Sequence, residues 1–206
     1  KFVAVGNGIA NQYYVMYSSD GLSWTLVDLT TANANLNANW SSVTWAPELG
    51  KFVAVSDNGI THAMYSSNGE TWDLASLDPN DDSTSIFWNS VTWSPELGKF
   101  VAVGLGIGNA YYAMHSNDGV SWTLVDKYMD FHADWQSVTW APELGKFVAV
   151  GTNKVANNNN YAMYSSNGEN WTLVNPDSTY KANWTSVTWI PGLGKFVAVA
   201  NSDNDK

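Results

Sequence analysis

A stretch of sixteen residues occurs four times along the chain, and its regular spacing limits the folds that the chain can adopt. Each copy reads W-x-S-V-T-W, then a linker with proline and glycine, then K-F-V-A-V; the copies are Trp40–Val55, Trp88–Val103, Trp135–Val150 and Trp184–Val199. The chain also opens on the second half of the stretch, at Lys1–Val5. From one K-F-V-A-V to the next, the distances are 50, 48, 47 and 49 residues. Near-identical copies at such a period indicate a repeat architecture.

Each copy is predicted to form a β-hairpin. In the first copy the side chains alternate, which places Trp40, Ser42 and Thr44 on one face of a strand. The segment K-F-V-A-V is short, aromatic and β-branched, as a buried strand should be. Between the two, proline can set φ for a turn and glycine can adopt the left-handed conformation that ends it.

The remainder of each period predicts two more strands. A segment of the type Y-A-M-Y-S precedes an Asp-Gly or Asn-Gly pair, and a segment of the type W-T-L-V follows it. Such a pair between apolar segments is the strongest short signal for a hairpin turn. Each period therefore holds strands A to D, in the order W-x-S-V-T-W, K-F-V-A-V, Y-A-M-Y-S and W-T-L-V, with no helical segment.

Four-stranded sheets that repeat every 40–50 residues or so, roughly the period seen here, are typical of β-propeller blades. We therefore predict an all-β fold, a small β-propeller of four blades with four antiparallel strands each; a five-bladed ring, or a ring completed by another chain, is the alternative. The single domain is expected to span residues 1–200, as four repeats of about 49 residues plus one extra strand. Residues 201–206 are expected to form a tail.

Closure of the ring is the least determined part of this prediction. Strand B occurs five times and each other strand four times. We expect Trp184–Trp189 to supply strand A to the sheet that Lys1–Val5 begins. Lys195–Val199 and Lys1–Val5 then compete for one position, and the sequence leaves open which copy fills it.

The turn between strands C and D carries the pattern S-x-[DN]-G-x-x-W in every repeat. This pattern resembles the Asp-box of BNR repeats, one residue shorter than S-x-D-x-G-x-x-W. With W-x-S-V-x-W and K-F-V-A-V-G it is similar, over the whole chain, to the BNR-like propeller repeats of bacterial surface and phage proteins. The resemblance implies a structural role, in which Ser and Asp brace the turn and Trp packs beneath it. The residues are Ser18, Asp20, Gly21, Trp24, Ser66, Asn68, Gly69, Trp72, Ser116, Asp118, Gly119, Trp122, Ser165, Asn167, Gly168 and Trp171.

The core is predicted to rest on aromatic residues, since the chain has twelve tryptophans and no cysteine. Each buried tryptophan removes about 150–250 Å² from water. The strand A ends Trp45, Trp93, Trp140 and Trp189 are the expected core positions. A methionine recurs in strand C, where we expect it to fill gaps rather than to bind a metal; the residues are Met16, Met64, Met114 and Met163.

Composition excludes several classes of partner. The formal net charge of −10 argues against nucleic acid and anionic membranes, and no apolar segment approaches the roughly 18 residues of a membrane helix. All nine basic residues are lysines. Sialidases, the enzymes best known for Asp-boxes, need an arginine cluster to hold the substrate carboxylate. An inverting glycosidase needs only two carboxylates, but nothing marks a pair. We predict no enzymatic activity, no catalytic residue and no cofactor.

The loops B–C and D–A share one face of the predicted fold and vary between repeats, whereas the turns A–B and C–D hardly vary. Because loops on a rigid scaffold often carry function, this variable face is the candidate binding surface. Its aromatic and acidic candidates are Tyr13, Asp78, Asp81, Asp82, Phe87, Tyr128, Asp130, Phe131, His132, Asp134 and Tyr180.

Two loop clusters have oxygen-rich chemistry, but neither predicts a metal site. Asp78-Pro79-Asn80-Asp81-Asp82 suits Ca²⁺ but matches no EF-hand spacing, so a solvated loop is the expectation. Asp130, His132 and Asp134 point apart on an extended loop unless it curls. His62 and His115 replace tyrosines of strand C, and packing explains them first.

Two functions follow as hypotheses. The first is a non-enzymatic structural repeat module, one segment of a larger extracellular or surface assembly on a cell or virion. Its partners would be other copies of itself or further repeats of a longer chain. The spare strand B would pair with an open sheet edge, and the chain, which begins and ends inside the repeat without Met, would be part of a longer array. The alternative is a glycan- or receptor-binding module that uses the variable loops.

Overall fold

The computed structural model describes residues 1–7, 13–29, 36–57, 62–77, 86–106, 112–125, 133–152, 161–174 and 182–201. These residues form five β-sheets in chain order. The first sheet has three strands, β1 Phe2–Asn7, β2 Tyr13–Ser18 and β3 Thr25–Asp28. The second has four strands, β4 Trp40–Ala46, β5 Lys51–Ser56, β6 Ala63–Ser66 and β7 Asp73–Leu74.

The third sheet has five strands in the order β8-β12-β11-β10-β9. Its first strand in sequence, β8, thus lies at one edge. The strands are β8 Ser76–Leu77, β9 Ile86–Ser94, β10 Lys99–Gly106, β11 Ala113–Ser116 and β12 Ser121–Leu124. The fourth has four strands, β13 Asp134–Ala141, β14 Lys146–Thr152, β15 Ala162–Ser165 and β16 Trp171–Val174. The last pairs β17 Asn183–Ile190 with β18 Lys195–Asn201.

The predicted hairpins and strand order are confirmed. Each W-x-S-V-T-W strand pairs antiparallel with the K-F-V-A-V strand that follows it. The turn between them ends at a glycine with positive φ, Gly50, Gly98, Gly145 or Gly194. In the last two turns, Pro142–Leu144 and Pro191–Leu193 form single turns of 3-10 helix. The described residues are therefore all-β with antiparallel pairing, apart from β8, which runs parallel to β12.

The predicted alternation along strand A is interrupted by a β-bulge. Trp40 pairs with Ser56 and Ser42 with Val55, so two residues of β4 advance the register of β5 by only one. Trp40 and Ser42 therefore do not share a face. The bulged residue is the variable x of W-x-S-V-T-W, and the same shift recurs in the three later hairpins.

The predicted closure is wrong in this structure, because β17 pairs with β18 and not with the strand of Lys1–Val5. Among the described strands β1 pairs only with β2, and it forms the edge of its sheet. The physical reason is proximity along the chain. A turn of four residues joins β17 to β18, whereas about 180 residues separate β17 from β1, so closing the short loop costs less entropy. Both copies of strand B are thus paired.

The core lies between successive sheets. The sheets stack in chain order through their A strands, β4 on β9, β9 on β13 and β13 on β17, and β1 packs on β4. At the three junctions that lead to the second, third and fourth sheets, one side is built of valines from strand B, such as Val53 and Val55. The other side presents a phenylalanine, a methionine and tryptophans, such as Phe100, Met114 and Trp122.

The predicted core residues are largely buried, with exceptions in the first two sheets. Trp93, Trp140 and Trp189 are buried, but Trp45 is 40% exposed, because no described residue supplies a neighbouring A–B turn on that side. The most deeply buried tryptophans are Trp40, Trp88 and Trp135, at the start of strand A. Met64, Met114 and Met163 are buried as expected, whereas Met16 in the first sheet is exposed.

Candidate functional site

Most of the loop-face candidates lie outside the described residues: Asp78, Asp81, Asp82, Tyr128, Asp130, Phe131, His132 and Tyr180. The backbone of Tyr13 begins β2 and its side chain is not described. Phe87 lies in β9, half-buried, opposite Leu105 of β10. Asp134 begins β13 and is buried, and its Oδ1 accepts a hydrogen bond from Asn89 Nδ2 at 2.9 Å. Asp134 thus links two repeats and is not presented to solvent.

The described parts of the chain contain no group of three His, Asp or Glu side chains that could hold a metal ion. They also contain no helix with the length and hydropathy of a membrane span.

The C–D turns are braced by the serine and the Asp or Asn of the S-x-[DN]-G pattern. In the third sheet, Ser116 Oγ accepts from the backbone N–H of Gly119 at 2.8 Å, and Asp118 Oδ1 accepts from those of Val120 and Ser121, each at 2.8 Å. Asn68 and Asn167 accept the corresponding pairs of bonds in the second and fourth sheets. Since Asp and Asn act alike, the turn requires the Oδ1 acceptor and not the charge.

Hydrogen bonds to the backbone lower the pKa of Asp20, with those from Ser23 and Leu22 foremost. Burial raises the pKa of Asp118, but the hydrogen bonds from Ser121, Val120 and Ser116, together with the charge of Lys51, lower it by more, so the pKa is lowered overall. Three of the four tryptophans close the turn beneath, where Nε1 donates to the glycine carbonyl: Trp24 to Gly21, Trp72 to Gly69 and Trp171 to Gly168.

The first link between repeats joins neighbouring A strands. The serine of W-x-S-V-T-W accepts the backbone N–H of the valine in the next repeat, from Val91 to Ser42 Oγ at 3.2 Å and from Val138 to Ser90 Oγ at 3.1 Å. Val187 donates to Ser137 Oγ at 3.1 Å. The unvarying serine therefore supplies an acceptor to a strand about 49 residues away.

The second link joins the A–B turn to the next strand A. The glutamate of P-E-L-G accepts from the indole Nε1–H of the last tryptophan of the following strand A. The pairs are Trp93 with Glu48 at 2.8 Å, Trp140 with Glu96 at 2.6 Å and Trp189 with Glu143 at 2.6 Å. The last turn has Gly192 at this position and cannot make the bond.

The third link joins the start of strand B to the next C–D turn. Lys1 Nζ donates to the carbonyl oxygen of Asn68 at 2.9 Å, and Lys51 Nζ to that of Asp118 at 2.6 Å. Lys99 instead donates to the Glu169 carboxylate.

The valine two residues along strand B faces the turn glycine. A Cβ on Gly69, Gly119 or Gly168 would stand 2.6–2.8 Å from Val3, Val53 or Val101, respectively. Positive φ and this close approach both require glycine there.

The residue beneath the strand B lysine is a tyrosine in three sheets and a histidine in the third sheet. Tyr17, Tyr65 and Tyr164 lie beneath the lysine of their own sheet, with Nζ 4.6, 5.2 and 5.0 Å from the ring centroid. His115 takes this place in the third sheet. Burial lowers the pKa of His115, and the positive charge of Lys99 lowers it further, against the opposing effect of Glu169.

The two end sheets leave uncovered the surfaces that internal sheets use for these links. Trp24 is 41% exposed and Phe2 is 55% exposed, whereas their equivalents Trp72 and Phe100 are 5% and 0% exposed. At the other end, Val197 and Val199 of β18 are 43% and 57% exposed. Val53 and Val101, the equivalents of Val197, and Val55 and Val103, the equivalents of Val199, are fully buried. Sequence reasoning missed these surfaces, although the loss of glutamate at Gly192 marked the last repeat as different.

Comparisons with known proteins show the fold. No family model matches the chain, and no curated protein matches it in sequence. Among solved structures, a GH74 enzyme of Niastella koreensis is similar at TM-score 0.63 and 14% identity, over 89% of this chain and 29% of that one. The extracellular domain of the putative one-component system BT4673 from B. thetaiotaomicron is similar at TM-score 0.63 and 12% identity, over 94% and 24%.

The Cps50 (Swd1) β-propeller domain of Myceliophteria thermophila is similar at TM-score 0.57 and 10% identity, over 95% of this chain and 62% of that one. This chain therefore spans less than two thirds of each of these three proteins. With these likenesses the predicted fold class, an all-β fold of the β-propeller type, is confirmed.

Proposed function

We propose that this chain is a non-enzymatic structural module that assembles with further repeats of its own kind, as a segment of an extracellular or surface structure. The observation that carries the proposal is the repetition of the same links at successive sheet junctions. Residues that do not vary along the chain, the serine of strand A and the lysine and valine of strand B, are occupied in joining one repeat to the next.

The uncovered end sheets support this function over the loop-binding alternative. Large apolar residues exposed together mark a surface that another molecule covers, and Phe2, Met16, Leu22, Trp24 and Leu26 all belong to the first sheet or its turn. By contrast, the described loop-face candidates Phe87 and Asp134 are half-buried and buried. The extracellular domain of BT4673 is one example of this fold outside a cell.

Sedimentation velocity over a wide range of protein concentration tests the proposal. We expect species larger than one chain of 22.6 kDa to form as the concentration rises. A single species of monomer size at every concentration would contradict it.

A screen of fluorogenic glycosides, sialosides included, tests the non-enzymatic part. We expect no turnover by the purified chain. Turnover that survives repurification, and that is lost when one loop aspartate is changed to asparagine, would show that the chain is an enzyme.

A further inference from the structure

The first sheet exposes a surface whose equivalent is buried in every later full sheet, except for a leucine that is only partly buried there, and we call it the aromatic face. It consists of Phe2, Met16, Trp24 and Leu26, one position from each described strand plus the tryptophan that precedes β3. Met16 and Leu26 are directly paired across β2 and β3. In the third sheet the equivalent residues Phe100, Met114 and Trp122 are buried against the preceding sheet.

The last sheet exposes the opposite kind of surface, which we call the valine face. It consists of Lys195, Val197 and Val199, all on β18. At internal junctions the equivalent residues of the preceding strand B, Lys51 and Val53, are the ones that cover the next turn.

The first C–D turn, at Gly21, has the same kinds of residue around its glycine as the internal C–D turn at Gly119, which accepts a hydrogen bond from a lysine. The second junction joins Lys51 to the carbonyl oxygen of Asp118, in a turn with an aspartate and then an apolar residue, Val120, after the glycine. The first turn has Asp20 and, after its glycine, Leu22. At Gly21 the three nearest atoms to an added Cβ all belong to Phe2 of its own sheet, so the place that Val53 takes at Gly119 is open.

From this complementarity we infer that a second copy of the chain docks head to tail, the valine face of one copy covering the aromatic face of the other. The inference rests on the proposed function and names its interface. Val197 meets the turn of Gly21, Lys195 donates to the carbonyl oxygen of Asp20, and Val199 packs toward Met16 and Trp24. No described residue of the same chain covers either face, and the match between the two faces favours a second copy as the occupant.

This docking displaces no strand. β1 keeps its pairing with β2, and β18 keeps its pairing with β17. It therefore differs from an exchange of K-F-V-A-V strands, in which one of these pairings would have to break. Because the two faces are different surfaces, the contact is heterologous and builds rings or open chains of copies.

Two variants, each damaging one face, test the inference in combination. Val197→Asp places a charge on the valine face, and Leu26→Asp places one on the aromatic face. Both positions are exposed in the single chain, so we expect each variant to fold with the circular dichroism spectrum of the unchanged protein. Leu193→Asp, at an exposed apolar position on the A–B turn, is the matched control.

In sedimentation velocity we expect each face variant alone to need at least about tenfold more protein to associate, as the loss of about 1.4 kcal/mol or more implies. The control should associate as the unchanged protein does. A 1:1 mixture of the two variants keeps one intact valine face and one intact aromatic face, and should form dimers and nothing larger.

The outcomes separate this inference from the proposed function. If the unchanged chain associates and both face variants associate equally well, the inference is wrong and self-assembly stands, through another surface or through exchange of strands. If the mixture stays monomeric although each variant is folded, the two faces do not meet. If the unchanged chain is monomeric throughout, the proposed function itself fails. Should Leu26→Asp unfold, Phe2→Asp takes its place on the aromatic face, and Lys195→Glu provides a second change on the valine face.

Discussion

Glu96 lies in an exposed turn of the third repeat, yet its carboxylate accepts a hydrogen bond from Trp140 of the fourth. Ser90 of the same repeat accepts the backbone N–H of Val138. In both cases the partner lies about 45 residues away along the chain. The hydrogen bond can therefore form only when the two sheets stack. Single positions therefore stay unchanged from repeat to repeat because they join neighbouring sheets, and their effect on stability should be measurable one residue at a time.

Replacing Glu96 by alanine leaves the indole N–H of the buried Trp140 without its acceptor. We expect a loss of about 1–2 kcal/mol in the free energy of unfolding, since a hydrogen bond to a charged group is involved and its loss leaves a donor unpaired. Glu96→Gln keeps an acceptor oxygen and should lose about half as much. Urea denaturation measures both, and equal losses for the two variants would show that the hydrogen bond is not what stabilises this turn.

Gly119 is expected to tolerate alanine less well than Gly98. Both have positive φ, which costs an alanine about 1–2 kcal/mol. Only at Gly119 does the added Cβ approach Val53 of the preceding sheet, at 2.6 Å, whereas Gly98 has open space around it. Gly119→Ala should therefore lose about 1–3 kcal/mol more than Gly98→Ala, the range typical of overpacking. Equal thermal or urea stability of the two variants would contradict the close valine contact.

His115 should make stability depend on pH. Its pKa is lowered in the folded chain, chiefly by burial, so the unfolded chain binds the proton more readily. The stability that neutral His115 contributes is present above the unfolded pKa of about 6.5 and is lost as pH falls through the folded pKa.

His115→Tyr, which restores the residue type found at Tyr17, Tyr65 and Tyr164, should reduce the loss of stability between pH 7.5 and pH 5.5. Urea midpoints of both proteins at both pH values give the comparison. Because all other titrating groups are common to the two, a difference that does not change with pH would rule out this role for His115.

Among the elements, strand A carries the connection between sheets. Its bulge at the variable position turns Ser41 and Asn89 toward the next repeat, where they donate to the carbonyl oxygens of Trp88 and Trp135. The serine after the bulge then accepts the N–H of the next strand. Replacing the serine of a strand A that is followed by another sheet should therefore lower the stability of the chain. The same replacement in the last strand A should have little effect on stability.

Ser137 and Ser186 test this difference between equivalent positions. Ser137→Ala removes the acceptor of the N–H of buried Val187 and should cost about 1–3 kcal/mol. Ser186 is exposed in the last sheet, and Ser186→Ala should change stability by no more than about 0.5 kcal/mol. Similar urea midpoints for the two variants would contradict the role of the serine in joining sheets.

The elements themselves could be predicted from sequence because their signals are local. The Asp-Gly and Asn-Gly turns, the alternation of strand A and the β-branched strand B all act over a few residues, and the strands occur where those signals lie. Which strand B would pair with β17 could not be predicted, because all copies carry the same side chains. The structure pairs β17 with the copy four residues beyond its end, where chain connection and not side-chain identity decides.

The candidate surface was less accessible to sequence reasoning. Variation between the loops predicts the B–C and D–A side as the binding surface, whereas Glu48 and Lys51 lie in segments that hardly vary and are predicted to be scaffold. Their partners lie in other repeats at separations of 45 and 67 residues, and no local pattern shows such pairs. The exposure of Trp24 and Val197 likewise depends on which sheet has a neighbour, and not on their own sequence context.

At the scale of the whole molecule, the chain is a stack of similar sheets with two unlike ends. Internal junctions bury valines against aromatic residues and methionine. The first sheet exposes the aromatic face, and the last sheet exposes the valine face. A net charge of −10 favours solubility. We expect these two end surfaces, and no others, to be covered when copies of the chain associate.

Hydrogen–deuterium exchange at low and high protein concentration tests that claim most directly. We predict that backbone amides of β2, β3, β17 and β18 exchange more slowly at high concentration, because a covered end sheet opens less often. Amides of the second, third and fourth sheets should exchange at unchanged rates, and the Val197→Asp variant should need at least about tenfold more protein to show the same protection. Exchange that does not depend on concentration in the end sheets, or protection that appears on the internal sheets, would contradict the claim.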